Sequence, residues 1–204
     1  MTEPLDIVEE NENYRVRLEH DDSGEKPWGD FQTPVLSKEF RYGSWEADND
    51  AAEEFSGTIN EAWDRLDNVE TFERFIRIFL GAKSVIVSES ENRRYVSFDT
   101  PEWREHTGLT DEYLSERPDI KPEELAKGTM DEFIAWANGE VYGYIVEKKF
   151  TTQTKYIDPV TEELVSVEDD TEWVEVQDGA CWGFYGREWA EESAKEALKS
   201  AMEQ

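Results

Sequence analysis

The sequence predicts an α+β fold: an antiparallel sheet with several helices packed on it, in a single compact domain. Three observations carry that expectation. Segments alternating at a period of two, such as Tyr14-Arg-Val-Arg-Leu18, sit among segments whose apolar residues recur at helical spacing. The two kinds are mixed along the chain rather than strictly alternating as strand–helix–strand. The 204 residues are also 13% aromatic, with 8 Trp, although charged residues reach 35% and mean hydropathy is -0.80. Disordered chains of such charge are poor in aromatics, so a folded core is expected.

Residues 1–13 are polar and acidic and read as a flexible N-terminus, with the domain running from 14 to 204. Tyr14, Val16 and Leu18 share one face of the first strand. Gly24, Pro27, Gly29 and Pro34 mark 21–34 as a loop pinned by Trp28 and Phe31. From Asp50 the period turns helical, with Phe55, Ile59, Trp63 and Leu66 on one stripe despite Gly57. A second, nearly enclosed helix turns Val69, Phe72, Ile76, Phe79 and Leu80 inward and stops at Gly81. Ser84–Ser88 and Tyr95–Phe98 read as short strands. Thr100, Pro101 and Glu102 supply an N-cap, a first-turn proline and an acidic first turn for a short helix. Residues 122–138 read as a helix anchored by Phe133, Ile134 and Trp136 and broken at Gly128. Strands follow at 140–150, in a 155–167 hairpin that turns at Asp158-Pro159 and continues through 172–176, and at 182–185. The last helix, Arg187 to Met202, packs through Ala190, Ala194, Ala197 and Ala201, with Trp189, Leu198 and Met202 flanking. No internal repeat or linker interrupts the chain.

Asp and Glu number 50 against 21 Lys and Arg, a net charge of -29. That balance argues against direct binding to nucleic acid or anionic membranes, which need basic patches. No apolar run approaches the ~20 residues that span a bilayer, and the first residues lack the pattern of a secretory leader. An intracellular setting, the host cytoplasm, is the expectation. Cys181 is the single cysteine, read as a buried small hydrophobe, and His20 and His106 are the two histidines. No phosphate-binding, dinucleotide or zinc-protease motif occurs. Asp48-Asn49-Asp50 opens like a calcium loop, but Glu53 stands where glycine is needed and Ile59 where glutamate is needed. The expectation is a non-enzyme without metal or cofactor.

The C-terminal third carries a distinctive pattern. Gly139-Glu-Val-Tyr-Gly-Tyr-Ile-Val-Glu147 precedes a variable insert, then Cys181-Trp-Gly-Phe-Tyr-Gly186 and an Ala- and Glu-rich helix. With Tyr14–Asp22, this resembles a widespread family of small phage- and prophage-encoded proteins, over roughly the first 20 and last 75 residues. The resemblance implies a phage origin and an intracellular life; the helical 50–82 segment departs from it and reads as an insertion. Physically, Tyr142, Tyr144, Trp182, Phe184 and Tyr185, spaced by Gly143, Gly183 and Gly186, form an aromatic cluster between neighbouring strands beside Cys181. The cluster serves either as a core signature or as a pocket for a small ligand or peptide.

On the 50–67 helix, Asp50, Glu53, Glu54, Glu61, Asp64 and Asp67 fall opposite the apolar stripe. Like charges at i,i+3 and i,i+4 destabilise a helix by tenths of a kcal/mol per pair, so the excess reflects habitat or function. Six charges on a helix rising ~1.5 Å per residue give one per ~4–5 Å, against ~3.4 Å per strand of DNA. A DNA mimic would need a second acidic row. Glu162, Glu163, Glu168, Asp169, Asp170 and Glu172 are candidates, as are Asp111, Glu112 and Glu116. High-salt adaptation is the rival account, weakened by 10 Lys against 11 Arg. The leading expectation is an acidic inhibitor of a host DNA- or RNA-binding protein or defence complex, of antirestriction type, acting by occupying a basic cleft. The alternative is a small-ligand or peptide-binding module using the aromatic cluster, with the acidity as salt adaptation.

Overall fold

The structure, a computed structural model, describes residues 6–27, 32–39, 43–66, 68–90, 92–157 and 164–203. In chain order the elements are β1 (Asp6–Glu10), β2 (Tyr14–His20), β3 (Val35–Glu39), β4 (Glu46–Ala47), a 3-10 helix (Asp50–Phe55), α1 (Ser56–Trp63), α2 (Val69–Phe79), β5 (Val85–Ser90), β6 (Arg93–Phe98), α3 (Pro101–His106), α4 (Asp111–Glu116), α5 (Pro122–Ala137), β7 (Val141–Ile157), β8 (Leu164–Tyr185) and α6 (Arg187–Met202). The fold is α+β, as the sequence predicts, with two antiparallel sheets of four strands among the described residues. No helix among the described residues is long and apolar enough to cross a membrane. Trp28, Phe31, Asp67, Glu162, Glu163 and the Asp158-Pro159 turn lie outside the described residues.

The chain divides into two compact units, one of residues up to Glu25 together with those from Gly139 onward, the other of Lys26–Asn138. In the first, the strand order is β1-β2-β7-β8. Val16, Leu18, Tyr142 and Val146 alternate onto the face that α6 covers with Ala190, Ala194 and Leu198. Small alanines let the helix axis come close to the sheet, as the sequence predicts. The N-terminus is a correction: Asp6–Glu10 is a strand paired with β2 rather than a flexible tail. Three interactions hold it. The Asn11 side chain accepts from the backbone N–H of Asn13 and Tyr14, both at 2.9 Å, and so closes a tight turn. Val8 packs on the α6 core, and Arg187 grips Asp6 through two nitrogens at 2.6 and 2.8 Å.

The second unit builds a β4-β3-β6-β5 sheet. Leu36, Val85, Val96 and Phe98 form a core with Trp45, Ala52, Ile59, Phe72 and Ile76. Tyr95 and Ser97 alternate to the opposite face, where Thr33 bonds Ser97 at 2.7 Å and its backbone N–H reaches Thr129 of α5 at 3.4 Å. Two asparagines act as strand surrogates. Asn60 accepts from the backbone N–H of Trp45 at 2.6 Å and donates to its carbonyl at 3.0 Å. Asn49 does the same for Val35 and Thr33 at 3.1 and 2.8 Å.

The expected single helix after Asp50 is split into a 3-10 turn and α1, although Ile59 is buried and Phe55, Trp63 and Leu66 pack on the core as the stripe requires. In α2, Phe72 and Ile76 are buried, but Ile78 and Phe79 are exposed, so this helix is not enclosed; Phe79 stacks on Phe75 at 4.8 Å instead. Thr100 caps α3 as expected. The same device, Thr110 accepting from the N–H of Tyr113, starts α4, which the hydrophobic pattern did not reveal because the helix buries none of its residues. Gly128 does not break α5.

Candidate functional site

The acidic candidates fall on the 3-10 turn and α1, on α4 and on β8. Asp50, Glu53 and Glu54 lie on the 3-10 turn and Glu61 on α1, with Asp64 as its C-cap. All five are exposed, and none forms a salt bridge among the described residues. Asp64 sits where the helix dipole disfavours an anion. Burial holds the Lys38 ammonium below its usual range, against the pull of Asp64. Its Nζ stands 5.0 Å from the Trp63 ring centre. Of the other acidic candidates, Asp111 is engaged by Lys83 and lies 3.8 Å from Arg104.

The last of these acidic elements is β8. The strand read at 140–150, the 155–167 hairpin with its 172–176 continuation and the short strand at 182–185 join into two long strands, β7 and β8, paired from Val141↔Tyr185 out to Ile157↔Leu164. Beyond Lys148 the strand β2 ends, and β7 and β8 continue as a two-stranded arm. Threonines, lysines and aromatics without Gly or Pro over 148–157 favour this unbroken extension. Side chains alternate across the arm, and register assigns them to faces. Lys148, Phe150, Thr152, Thr154 and Tyr156 stand opposite Val174, Glu172, Asp170, Glu168 and Ser166. Asp169 points to the other face, opposite Gln153, so the expected acidic row is divided. Glu168, Asp170 and Glu172 remain on one side, spaced ~6.8 Å along a strand rising ~3.4 Å per residue. The Tyr156 hydroxyl donates to Glu168 at 3.2 Å.

At the base of the arm, on this same face, a cleft of about 630 Å³ opens beside the last turns of α6. Its walls are Tyr14, Tyr144, Phe150, Val146, Val174 and Val176, with Ala197, Ser200 and Ala201 from the helix. The volume falls within the ~300–1,000 Å³ usual for ligand pockets. A wide bulge in β8 shapes one rim: Ile145 pairs with Ala180 and Glu147 with Glu175, so Val146 faces four residues, Val176 to Gly179. Asp178 takes φ +57 there, and a Cβ on Gly179 would come within 2.4 Å of Val176 Cγ2. Lys148 holds its ammonium 5.2 Å from the Tyr14 ring centre and 6.0 Å from that of Phe150. Burial pushes the Tyr144 phenol above its usual range, so it stays neutral.

The aromatic motif does not assemble as one cluster. Tyr144 meets Phe184 at 5.5 Å, and Phe184 meets Trp189 edge-on at 5.5 Å, on the α6 face. Tyr142 packs on His20 at 4.6 Å. Trp182 lies over Gly143 on the opposite face, at a bulge where Gly183 has φ +84, and is 45% exposed. Tyr185 donates to the Glu25 carbonyl at 2.9 Å, and Gly186 is the N-cap of α6 with φ +96. Cys181, expected to be buried, is exposed on the outermost strand of its sheet. Of the aromatic cluster the cleft takes Tyr144, with Val146 of the same strand beside it; Tyr14, read only as a strand residue, and Lys148 and Phe150, which the sequence did not single out, are brought together there by strand pairing. Among the described residues no group of three or more His, Cys, Asp or Glu side chains is arranged to hold a metal ion. Set against known proteins, the chain matches no family model, no curated protein and no solved structure.

Proposed function

We propose that this protein is a non-catalytic acidic binder, phage-encoded, that occupies the basic surface of a host nucleic-acid-binding protein or defence complex. The observation that carries the reading is the set of exposed carboxylates at Asp50, Glu53, Glu54, Glu61 and Asp64, none of them in a salt bridge among the described residues. Repulsion within this set opposes folding, and a C-cap aspartate adds to that cost. Selection for stability alone would pair or dilute such charges. A partner lined with Lys and Arg would offset them, with association steered by long-range attraction and weakened by salt. The phage likeness of the C-terminal motif adds a setting in which countering a host enzyme is advantageous.

The test is capture from bacterial lysate at low salt, with elution along a salt gradient. Its control is a variant carrying Asp50→Asn, Glu53→Gln, Glu54→Gln, Glu61→Gln and Asp64→Asn. A nucleic-acid enzyme or defence complex retained by the wild type and lost from the variant supports the reading. Equal recovery of generic basic proteins by both would overturn it.

A further inference from the structure

We propose that the cleft at the base of the β7–β8 arm, together with the arm's acidic face, is the docking site for an extended basic segment of a partner, held by one apolar anchor residue. The inference rests on the reading of the protein as a binder of basic surfaces and adds where and in what form one such partner lies.

The cleft supplies the anchor site. Val146, Val174, Val176, Tyr144 and Phe150 give it apolar walls, and Ala197 and Ala201 keep the α6 side shallow enough for an aliphatic side chain. Charge identifies the partner residues that extend beyond the anchor. Phe150, the outermost ring of the cleft, pairs with Glu172, and the row continues outward through Asp170 and Glu168 on the same face. From Leu164 to Val176, β8 holds five carboxylates and no Lys or Arg. Lys148, the one cation of this face of the arm, is drawn back over the rings of Tyr14 and Phe150 rather than paired with the row. Spacing selects the conformation. Same-side residues of any extended strand recur every ~6.8 Å, so Lys or Arg at every second position meets these carboxylates one for one. Duplex phosphates recur every ~3.4 Å per strand, so the row carries half the charge density of one strand.

The probe is a fluorescein-labelled peptide, Leu-Thr-Lys-Thr-Lys-Thr-Lys, titrated by anisotropy with the full chain at low salt. Saturable binding is expected, about tenfold weaker in the E168Q/D170N/E172Q variant. It is expected to weaken about tenfold or more when the peptide's leucine becomes glycine, or when Ala201→Phe fills the cleft. Because the glycine peptide leaves the protein untouched, a folding defect in the Ala201 variant does not blunt the test. Absence of binding, equal binding by leucine and glycine peptides, or an unaffected triple variant would each overturn the inference. Neutralising the five carboxylates from Asp50 to Asp64 is expected to leave this titration unchanged. Peptide binding that survives a failed lysate capture would therefore sink the proposed function alone, and the converse would sink the arm site alone.

Discussion

The Cβ that alanine would add at Gly143 falls 2.1 Å from Cε3 of Trp182, so the indole ring occupies the place of a side chain on the neighbouring strand. The glycine in the middle of β7 is thus a packing requirement. Gly143→Ala is expected to cost about 1–3 kcal/mol, the usual scale of overpacking, in urea unfolding. Adding Trp182→Ala should return most of that loss. Additive effects of the two changes would show that the ring is not what forbids the methyl group.

Arg104 and Asp99 form an ion pair inside the second unit, with Asp99 fully buried and also accepting the backbone N–H of Ser84 at 2.6 Å. Arg104→Met leaves that carboxylate without its counter-charge and is expected to cost about 3–5 kcal/mol. Asp99→Asn, which keeps an acceptor for Ser84, should cost less. Chemical denaturation of the two variants ranks them directly.

Two carboxyls give opposite pH responses. Burial pushes Asp48 above the usual range despite a hydrogen bond from Ser37, and its Oδ2 has no hydrogen-bond partner among the described residues. The folded state therefore holds this proton to higher pH than the unfolded state, and the site loses stability as pH rises through that window. Asp48→Asn should melt above wild type at pH 7, with the gap closing in acid. Asp6 is the reverse. The hydrogen bond from Arg187 holds its carboxyl below the usual range, so its contribution is present above the ordinary aspartate value, near ~3.9, and disappears as pH falls through the lowered one. Asp6→Asn should be mildly less stable at pH 7 and equal to wild type in strong acid. The ion pair is exposed, so the effect is small.

Asp64 opposes the dipole of α1 as its C-cap. Asp64→Asn is expected to stabilise the protein by about 0.3–1 kcal/mol at low ionic strength. The gain should shrink in 1 M salt, where screening acts within ~3 Å. A gain in stability coupled to a loss of partner capture would mark the charge as retained for binding.

Local rules made much of this fold legible. The alternation at Tyr14–Leu18, the Thr100 cap and the alanine stripe of α6 each depend on a few neighbouring residues, and each matches the structure. What escaped depends on partners far along the chain. β1 is secured by Arg187, a residue at the other end of the sequence. The 3-10 turn begins after Asn49, whose side chain is bonded to Val35 and Thr33. The crossing at Glu25–Lys26 lies in the Gly- and Pro-marked stretch that reads only as a loop, and the one at Asn138–Gly139 reads only as a helix stop, so neither announced a boundary. The cleft needs register: Tyr14 and Lys148 are brought side by side only by β2–β7 pairing. Acidic residues were visible at once, but alternation along β8 decided which of Glu168, Asp169 and Asp170 act together.

The whole of the second unit lies in sequence between β2 and its partner β7, and within the first unit the ends of these strands are joined, the Asp21 N–H bonding the Val141 carbonyl at 2.8 Å. That connectivity imposes a timetable on synthesis. When β1 and β2 leave the ribosome the other two strands of their sheet are still to come, and an isolated hairpin is marginal in water. Residues 26–138 emerge next with their own core complete. β7, β8 and α6 arrive last and close the waiting sheet. Proteolysis of chains stalled shortly after Asn138 has left the exit tunnel should release a resistant 26–138 fragment while β1 and β2 are still digested.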